Sequence, residues 1–516
     1  MTLRFYPILL SAALLLLLNA CTTTAPVPGE TTTASRDRPY ETDTRKRQDE
    51  TGRGPSERSL EDVMEMTRNM SGFQPEAALA ILRSLESLSS GRLRAMIDSQ
   101  LYDPEFTEWL ELSLLTRNLL ISREPVSAAA RKWVDYHYGH VITEAGFTEL
   151  MSRYRQLFPT PGQVAVLLPA TGDLSTAARA IRDGIVSAYL DRPGNSVLRF
   201  YSSGENSQSA LAAYLQARDD GATQIVGPLR VESAGALASL DDPSVPVLLL
   251  NEPAEYKPAY PGREMIVNSL SLSQSEEVQA IAERALSQGQ KRAIVLVQDS
   301  AWGARIESVF TEKFARNEGQ VAVSARFNLD LEDYNDMLTR LLKIDESEQR
   351  KTALQSRLGI SLNFEPSRRD DFDFIFMAAN PQQGRELKPL LRFHNAGDIP
   401  VYAMGRIYSG KVEPASDQDL NGIVFPITAW QLRAATLNTP ALESIRDGTF
   451  GNLYALGQDA WRVLPWLPLL QKDPDLWYPG DVGELRLQAN GHLQRQPAWA
   501  QFSDGQALPY RWPGAY

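Results

Sequence analysis

The chain has 516 residues, 43% of them hydrophobic and 22% charged, with a formal net charge of −12. That length exceeds one ordinary core, so two or more domains are expected. The acidity argues against nucleic acid as a partner, because phosphate binding needs a cationic face; it suits either plain solubility or a basic surface on another protein.

The N-terminus carries Arg4 and then a nearly unbroken apolar run from Phe5 to Leu18. The run is too short for a comfortable membrane span and has the length of a signal peptide. It ends in Leu18-Asn19-Ala20-Cys21. A Leu three residues before a Cys, with a small residue directly before it, resembles a lipobox, although Asn19 is less usual at its position. The expectation is a signal peptide over residues 1–20 and a diacylglycerol on the Cys21 thiol. Cys21 is the only Cys, so no intrachain disulfide can form, and lipidation consumes a thiol that would be a liability in an oxidising compartment. Thr22, not Asp, follows it, which in proteobacterial lipoproteins implies sorting to the outer membrane. The reading is a lipid-anchored protein of the outer membrane, facing the periplasm.

Residues 21–58 are rich in Thr, Pro, Arg, Asp and Glu and hold almost no large aliphatic side chain after the anchor, the composition of a disordered tether. Arg45-Lys46-Arg47 beside Asp49-Glu50 reads as solvation, not as a lipid-gripping basic run. Residues 59–159 switch to helical periodicity. Stripes run through Val63, Met66, Thr67 and Met70; through Ala77, Ala78, Ile81, Leu82 and Leu85 behind Pro75; and through Leu93, Met96 and Ile97. Others take Phe106, Leu110, Leu114 and Leu115; Ala129, Trp133 and Tyr136; and Phe147, Leu150, Met151, Tyr154 and Phe158. This predicts about three helical hairpins, either a tetratricopeptide-like solenoid or a plain bundle, since no clean repeat decides between them.

Pro159-Thr160-Pro161-Gly162 marks a boundary, beyond which residues 162–516 should fold as a separate α/β domain. Val164–Pro169 is a continuous apolar run, the mark of a buried parallel strand. A helix over 176–189, strands at 197–201, 224–229 and 245–251, and a helix over 209–219 follow. After Asn268 the pattern restarts: strands at 293–297, 321–323, 372–379 and 399–404, with a helix over 303–317. Strand and helix in alternation mean doubly wound sheets. Two in succession suggest a two-lobed α/β module, the first lobe from about 162–268 and 430–471 and the second from about 269–429 and 472–516. A ligand cleft would lie between the strand C-terminal ends.

Chemistry is sparse. The four histidines are His137, His140, His394 and His492. His137 and His140 stand one turn apart, but no third ligand completes a metal spacing, so they read as solvated helix-end residues and no metal or cofactor is expected. No nucleophile elbow, phosphate-binding loop or dinucleotide fingerprint is present. Asp370-Asp371-Phe372-Asp373 reads as a strand flank, with two-metal chemistry as the sharper alternative. Trp461, Trp466, Trp477 and Trp499 read as core; Trp430 and Trp512 are less clearly placed. The expectation is a binding protein, not an enzyme.

Several segments occur in an informative order: Ala165-Val166-Leu167-Leu168-Pro169, Ala180-Ile181-Arg182-Asp183-Gly184, Gly227-Pro228-Leu229 and Pro246 to Asn251. Ser300-Ala301-Trp302-Gly303-Ala304-Arg305, Arg385-Glu386-Leu387-Lys388-Pro389 and Asp417 to Gly422 come next. Tyr454 to Ala460 and Trp499-Ala500-Gln501-Phe502 complete the series. The first two resemble the opening of type I periplasmic binding proteins. The ordered set over residues 162–505, with the lipobox, resembles the penicillin-binding protein activator lipoproteins, the LpoA or LppC family. That resemblance implies a type I periplasmic-binding-protein-like module behind a tetratricopeptide-like helical domain. It further implies a regulator that binds the docking domain of a class A penicillin-binding protein, close to peptidoglycan, and shifts that synthase toward a more active state. The helical region here is shorter than the family's usual N-terminal domain. A tether of about 37 residues could compensate, since a flexible coil spans roughly 5–6 Å times the square root of its length.

Two other readings compete: a periplasmic solute-binding receptor lipoprotein, and, more weakly, a cell-wall hydrolase, whose catalytic pair cannot be placed. For the receptor, the candidate cleft residues are Thr171, Asp173, Gly227, Asn251, Glu252, Asp299, Trp302 and Met404. Asp173, Glu252 and Asp299 would repel an anionic solute, and no Arg within these segments offers a bidentate partner, so tight binding of a small carboxylate is not expected. Helix capping explains the same acids equally well.

Overall fold

Six helices open the described part of the chain: α1 (Leu60–Arg68), α2 (Pro75–Leu85), α3 (Ser90–Ser99), α4 (Pro104–Ile121), α5 (Val126–Tyr136) and α6 (Glu144–Arg155). Their starts are local chemistry. Ser59 and Asp62 form a capping box on α1, Asp103 accepts from the Phe106 N–H at 2.9 Å, and Thr143 caps α6. Pro75 and Pro104 take first-turn positions where no N–H is needed. In α4, Phe106, Trp109, Leu110, Leu112, Leu119 and Leu120 are all buried, so the helix is covered on most sides instead of showing one apolar stripe. The computed structural model describes residues 59–122, 124–191, 195–240, 243–253, 266–328, 334–434 and 450–512. The expected signal peptide, Cys21 and the tether lie outside them.

The first lobe is a five-stranded parallel sheet in the order β2-β1-β3-β4-β5, built from β1 (Gln163–Leu168), β2 (Val197–Ser202), β3 (Gln224–Val226), β4 (Val247–Leu249) and β5 (Val267–Ser269). Alternate residues serve its two faces. Ala165, Leu167, Ile225, Val247 and Leu249 pack against α8 (Ser207–Asp219) and α9 (Val231–Ala238). Val164, Val166, Val226 and Leu248 face the other way, onto α7 (Ser175–Asp191).

The second lobe is a seven-stranded sheet in the order β15-β14-β10-β9-β8-β6-β7. Its parallel strands are β6 (Arg292–Gln298), β7 (Gln320–Phe327), β8 (Phe374–Ala378), β9 (Val401–Ala403) and β10 (Ile423–Ile427). The antiparallel β14 (Ala498–Ser503) and β15 (Gln506–Pro509) extend it at one edge. Helices α10 (Gln274–Ser287) and α11 (Ala301–Arg316) cover one face; α12 (Asn335–Leu341) and α14 (Pro381–Phe393) cover the other, with α13 (Ile344–Leu358) between them in the chain.

Three features depart from the sequence reading. The strands expected at 224–229 and 245–251 are only three residues each; the first ends where Gly227, at φ 101°, turns the chain at a point where a Cβ would run into the Leu167 carbonyl oxygen. Strands β10, β14 and β15 were not anticipated. Residues 478–496 join neither large sheet. They form an antiparallel sheet of β11 (Tyr478–Pro479), β12 (Glu484–Leu487) and β13 (Leu493–Gln496), whose turn is tied to β5 by the Ser269 N–H donating to the Gly491 carbonyl at 2.9 Å.

The first lobe is completed late in the chain. After α15 (Pro414–Asp417), β10 and α16 (Ala429–Ala434), helix α17 (Gly451–Arg462) returns to lie along α7. A Cβ on Gly184 would overlap the Tyr454 carbonyl oxygen, and one on Gly457 would overlap that of Ile181. The two glycines let two backbones touch. Next comes α18 (Leu467–Lys472), and its end meets the helical domain. Asp473 pairs with Arg117 of α4 at 2.7 Å and accepts from the Ser90 N–H at 2.9 Å and the Ser90 hydroxyl at 2.5 Å. Arg117 also donates to the carbonyls of Leu88 at 2.7 Å and Leu85 at 2.6 Å. One continuous apolar core runs from Val63 in α1 to Leu493 in β13.

Candidate functional site at the hinge between the lobes

The chain crosses between the two lobes at residues 269–274, again at 427–429, and a last time after the third sheet. Beside the first crossing stands His492, nearly buried, with every ring nitrogen engaged. Its Nδ1 lies 2.9 Å from the Ser269 hydroxyl, and its Nε2 lies 2.8 Å from Glu276 and 3.2 Å from Glu252. Glu276 also accepts from the Arg495 N–H at 3.1 Å. Its neighbour Glu277 accepts from the Gly405 N–H at the end of β9. Burial pushes the Glu277 carboxyl up, against the pull of the Arg495 charge and that N–H.

A serine, a histidine and a carboxylate in line are the parts of a nucleophilic triad. Here Ser269 is 0% exposed, so no substrate reaches its hydroxyl. The arrangement instead ties β5 and the loop after β4 in the first lobe to α10 in the second, through one imidazole on the third sheet. Nothing in the local sequence around His492 announces this; the partners come from residues more than 200 positions away.

The eight candidate cleft residues fall into two groups. Thr171, Asp173, Gly227, Asn251 and Glu252 follow the first-lobe strands; Asp299, Trp302 and Met404 follow the second-lobe strands. Asn251 donates to the Leu229 carbonyl at 3.1 Å, and Met404 is buried in the sheet. The charge expectation needs correction. Arg230, one residue beyond the Gly227-Pro228-Leu229 segment, pairs with Asp173, and Glu252 pairs with His492. Arg406, two residues beyond Met404, lies 4.9 Å from the Trp302 ring centroid. Two cations therefore sit beside segments that contain none. Trp302 also donates to Gln274 at 3.1 Å.

His137 and His140 are not solvated. His137 sits 3.0 Å from Glu111, and His140 packs between Trp109 and Trp133 at centroid distances of 5.2 and 4.7 Å. Burial, with the nearby His137, pushes the His140 imidazole down to about 4. Asp371 and Asp373 are occupied at the strand flank: Asp371 by Arg369 at 2.6 Å, Asp373 by the Lys291 and Arg292 N–H groups at 2.8 Å each. Among the described residues, no group of three His, Cys, Asp or Glu could hold a metal ion, and no helix is long and apolar enough to cross a membrane. Trp430, Trp461, Trp499 and Trp512 are buried; Trp466 and Trp477 are half-buried.

Comparison with known proteins gives a consistent result. Residues 58–505 match the model of the family described as "LppC putative lipoprotein". Penicillin-binding protein activator LpoA of Photobacterium profundum is 26% identical over 414 residues, which cover 77% of this chain and 65% of that relative. The chain thus spans about two thirds of that protein's length. LpoA of Vibrio cholerae is 23% identical over 462 residues, covering 86% of this chain and 74% of the relative. Among solved structures, full-length LpoA from Haemophilus influenzae has a TM-score of 0.53 at 19% identity, over 87% of this chain and 79% of that one. The C-domain of the same protein, described as a regulator of PBP1A, gives a TM-score of 0.52 at 20% identity and is covered completely by 68% of this chain. The fold is therefore that of the LpoA structures, two α/β lobes behind a helical domain, and the chain belongs to the LppC lipoprotein family.

Proposed function

We propose that this protein is an activator of peptidoglycan synthesis. It is anchored in the outer membrane through a lipid on Cys21, reaches into the periplasm, and binds and stimulates a class A penicillin-binding protein through that synthase's docking domain. The observation that carries this reading is the family match across residues 58–505 together with relatives named for that activity. In this reading the protein acts as a regulator; the serine–histidine–carboxylate array at Ser269 and His492, among the described residues, has its serine buried away from substrate. Stimulation requires that it bind one conformation of the synthase better than the other. The test is capture of a purified class A penicillin-binding protein by the solubilised lipoprotein, with glycan synthesis measured with and without it. Co-sedimentation and a faster rate are expected. An unchanged rate and no capture, with a small solute retained by the purified protein, would move the reading to the solute-receptor alternative.

A further inference from the structure

Between α10, the third sheet and β14 lies a cavity of about 510 Å³, separate from the strand ends that face the hinge. That volume is in the range of small-ligand sites. Its lining includes Arg284, Arg486 and Arg495, with Gln494, Gln496 and Trp477. The chain is acidic overall, yet none of these three arginines forms an ion pair with a described carboxylate. Arg486 lies 4.7 Å from the Trp477 ring centroid and donates to Gln494 at 3.1 Å; Arg284 lies 5.4 Å from that of Trp512. The Nε groups of Arg486 and Arg495 are buried with no hydrogen-bond partner. Two acids share the walls: Glu283 accepts from Gln279 at 2.7 Å, and one oxygen of Glu276 is held by His492 and the Arg495 backbone N–H, while its other oxygen is buried without a hydrogen-bond partner beside the unpartnered Nε groups.

We propose that this cavity is a binding site for a small sugar acid. A planar carboxylate is the natural complement of unpaired guanidinium groups. The glutamine amides on the same walls carry the donors and acceptors that a hydroxyl needs, with the Gln494 oxygen already accepting from Arg486 and Gln488 and its amide N–H left to donate. An aliphatic acid would leave those amides unmet and bury its chain against polar walls. Charge and hydroxyl complementarity together select a polyhydroxylated carboxylate over a bare anion or a neutral sugar. The site does not depend on the proposed regulatory role, and its ligand could be present whether or not a synthase is bound.

The experiment titrates the full chain with glucuronate, glucose and acetate, reading tryptophan emission and ligand-observed NMR. Glucuronate should saturate, with glucose and acetate each about tenfold weaker or more, the scale set by losing a charged hydrogen bond or the hydroxyl contacts. The R284Q/R486Q double variant should lose about tenfold for glucuronate while melting as before. Q496L, at an exposed position, should weaken glucuronate and leave acetate unchanged. Absence of saturation by glucuronate, or equal binding of acetate or glucose, overturns the proposal on the unaltered protein, whether or not the double variant folds. A folded double variant that binds as tightly as the original overturns it as well.

Discussion

Arg117 and Asp473 stand 356 residues apart in the chain and meet at 2.7 Å with 0% and 1% of their side chains exposed. A buried pair of this kind contributes little relative to an apolar replacement, but removing one partner strands the other charge. Asp473→Ala or Arg117→Ala should each cost about 3–5 kcal/mol, read as a lowered denaturation midpoint. The Arg117→Met/Asp473→Leu double variant should recover much of that loss. Equal, additive losses in the double variant would show that the two charges do not depend on one another. By the same argument, a fragment beginning at Pro161 keeps its sheets but leaves Asp473 without Arg117 or Ser90. It should melt below the full chain.

Helices α7 and α17 approach through glycine on both sides. Gly184→Ala places a methyl against the Tyr454 carbonyl, and Gly457→Ala places one against that of Ile181. Each should destabilise by about 1–3 kcal/mol through overpacking, although alanine is the better helix former in isolation. A neutral or positive shift in thermal midpoint would mean that the helices separate at no cost.

His140 gives a pH dependence of definite sign. Its folded value, near 4, lies below the unfolded value of about 6.5, so the folded state resists a proton that the unfolded state accepts. The stability it contributes is intact above about pH 6.5 and is lost as pH falls toward 4. His140→Asn, which keeps an acceptor for the Ile142 N–H, should flatten that part of the stability profile. Urea midpoints at pH 7.5, 6 and 4.5 for both proteins decide it; parallel profiles count against the assignment.

Much of this was readable in advance, and the parts that were not share a cause. The parallel strands announced themselves as apolar runs because both faces of β1, β6 and β8 are buried. The family segments turned out to be joints. Ala180–Gly184 packs on Tyr454–Ala460, and Arg385 donates to Asp417 at 2.7 Å, joining two of the quoted motifs. Strands β10 to β15 were missed because most are short or lie at edges, where periodicity is weak. The pairs Arg117–Asp473 and His492–Glu276 were invisible for a different reason: single polar residues on apolar faces carry no period, and their partners are set by tertiary contact alone. Arg230 and Arg406 were overlooked because each stands one residue outside the segments searched for cations, Gly227-Pro228-Leu229 and Met404-Gly405.

The hinge-facing strand ends should hold no small carboxylate tightly. Arg230 stands directly after Gly227-Pro228-Leu229 in the first lobe, and Asp173 already occupies it. Calorimetry against amino acids should show no micromolar binding, and Asp173→Asn should raise carboxylate affinity by releasing Arg230. Micromolar binding by the unaltered protein, lost in Asp173→Asn or Asp299→Asn, would favour a solute receptor.

Lipidation should depend on one atom. Cys21→Ser should abolish palmitate labelling and leave the precursor uncut at that site, with the protein recovered away from the outer-membrane fraction. In the proposed processed form, several acyl chains at about 0.8 kcal/mol per buried methylene would give firm membrane attachment. Continued labelling of the serine variant would place the lipid elsewhere.

The late return of α17 to α7 has a consequence for how the protein is made. The first sheet's inner face is begun by residue 168 but lacks a lid until residue 462 has been synthesised, after most of the second lobe. No truncated product ending within the second lobe contains a finished first lobe; each leaves the Gly184 face of α7 without its partner helix. Interrupted synthesis therefore yields a sticky, protease-accessible chain, not a competent fragment, and the fold enforces its own completeness.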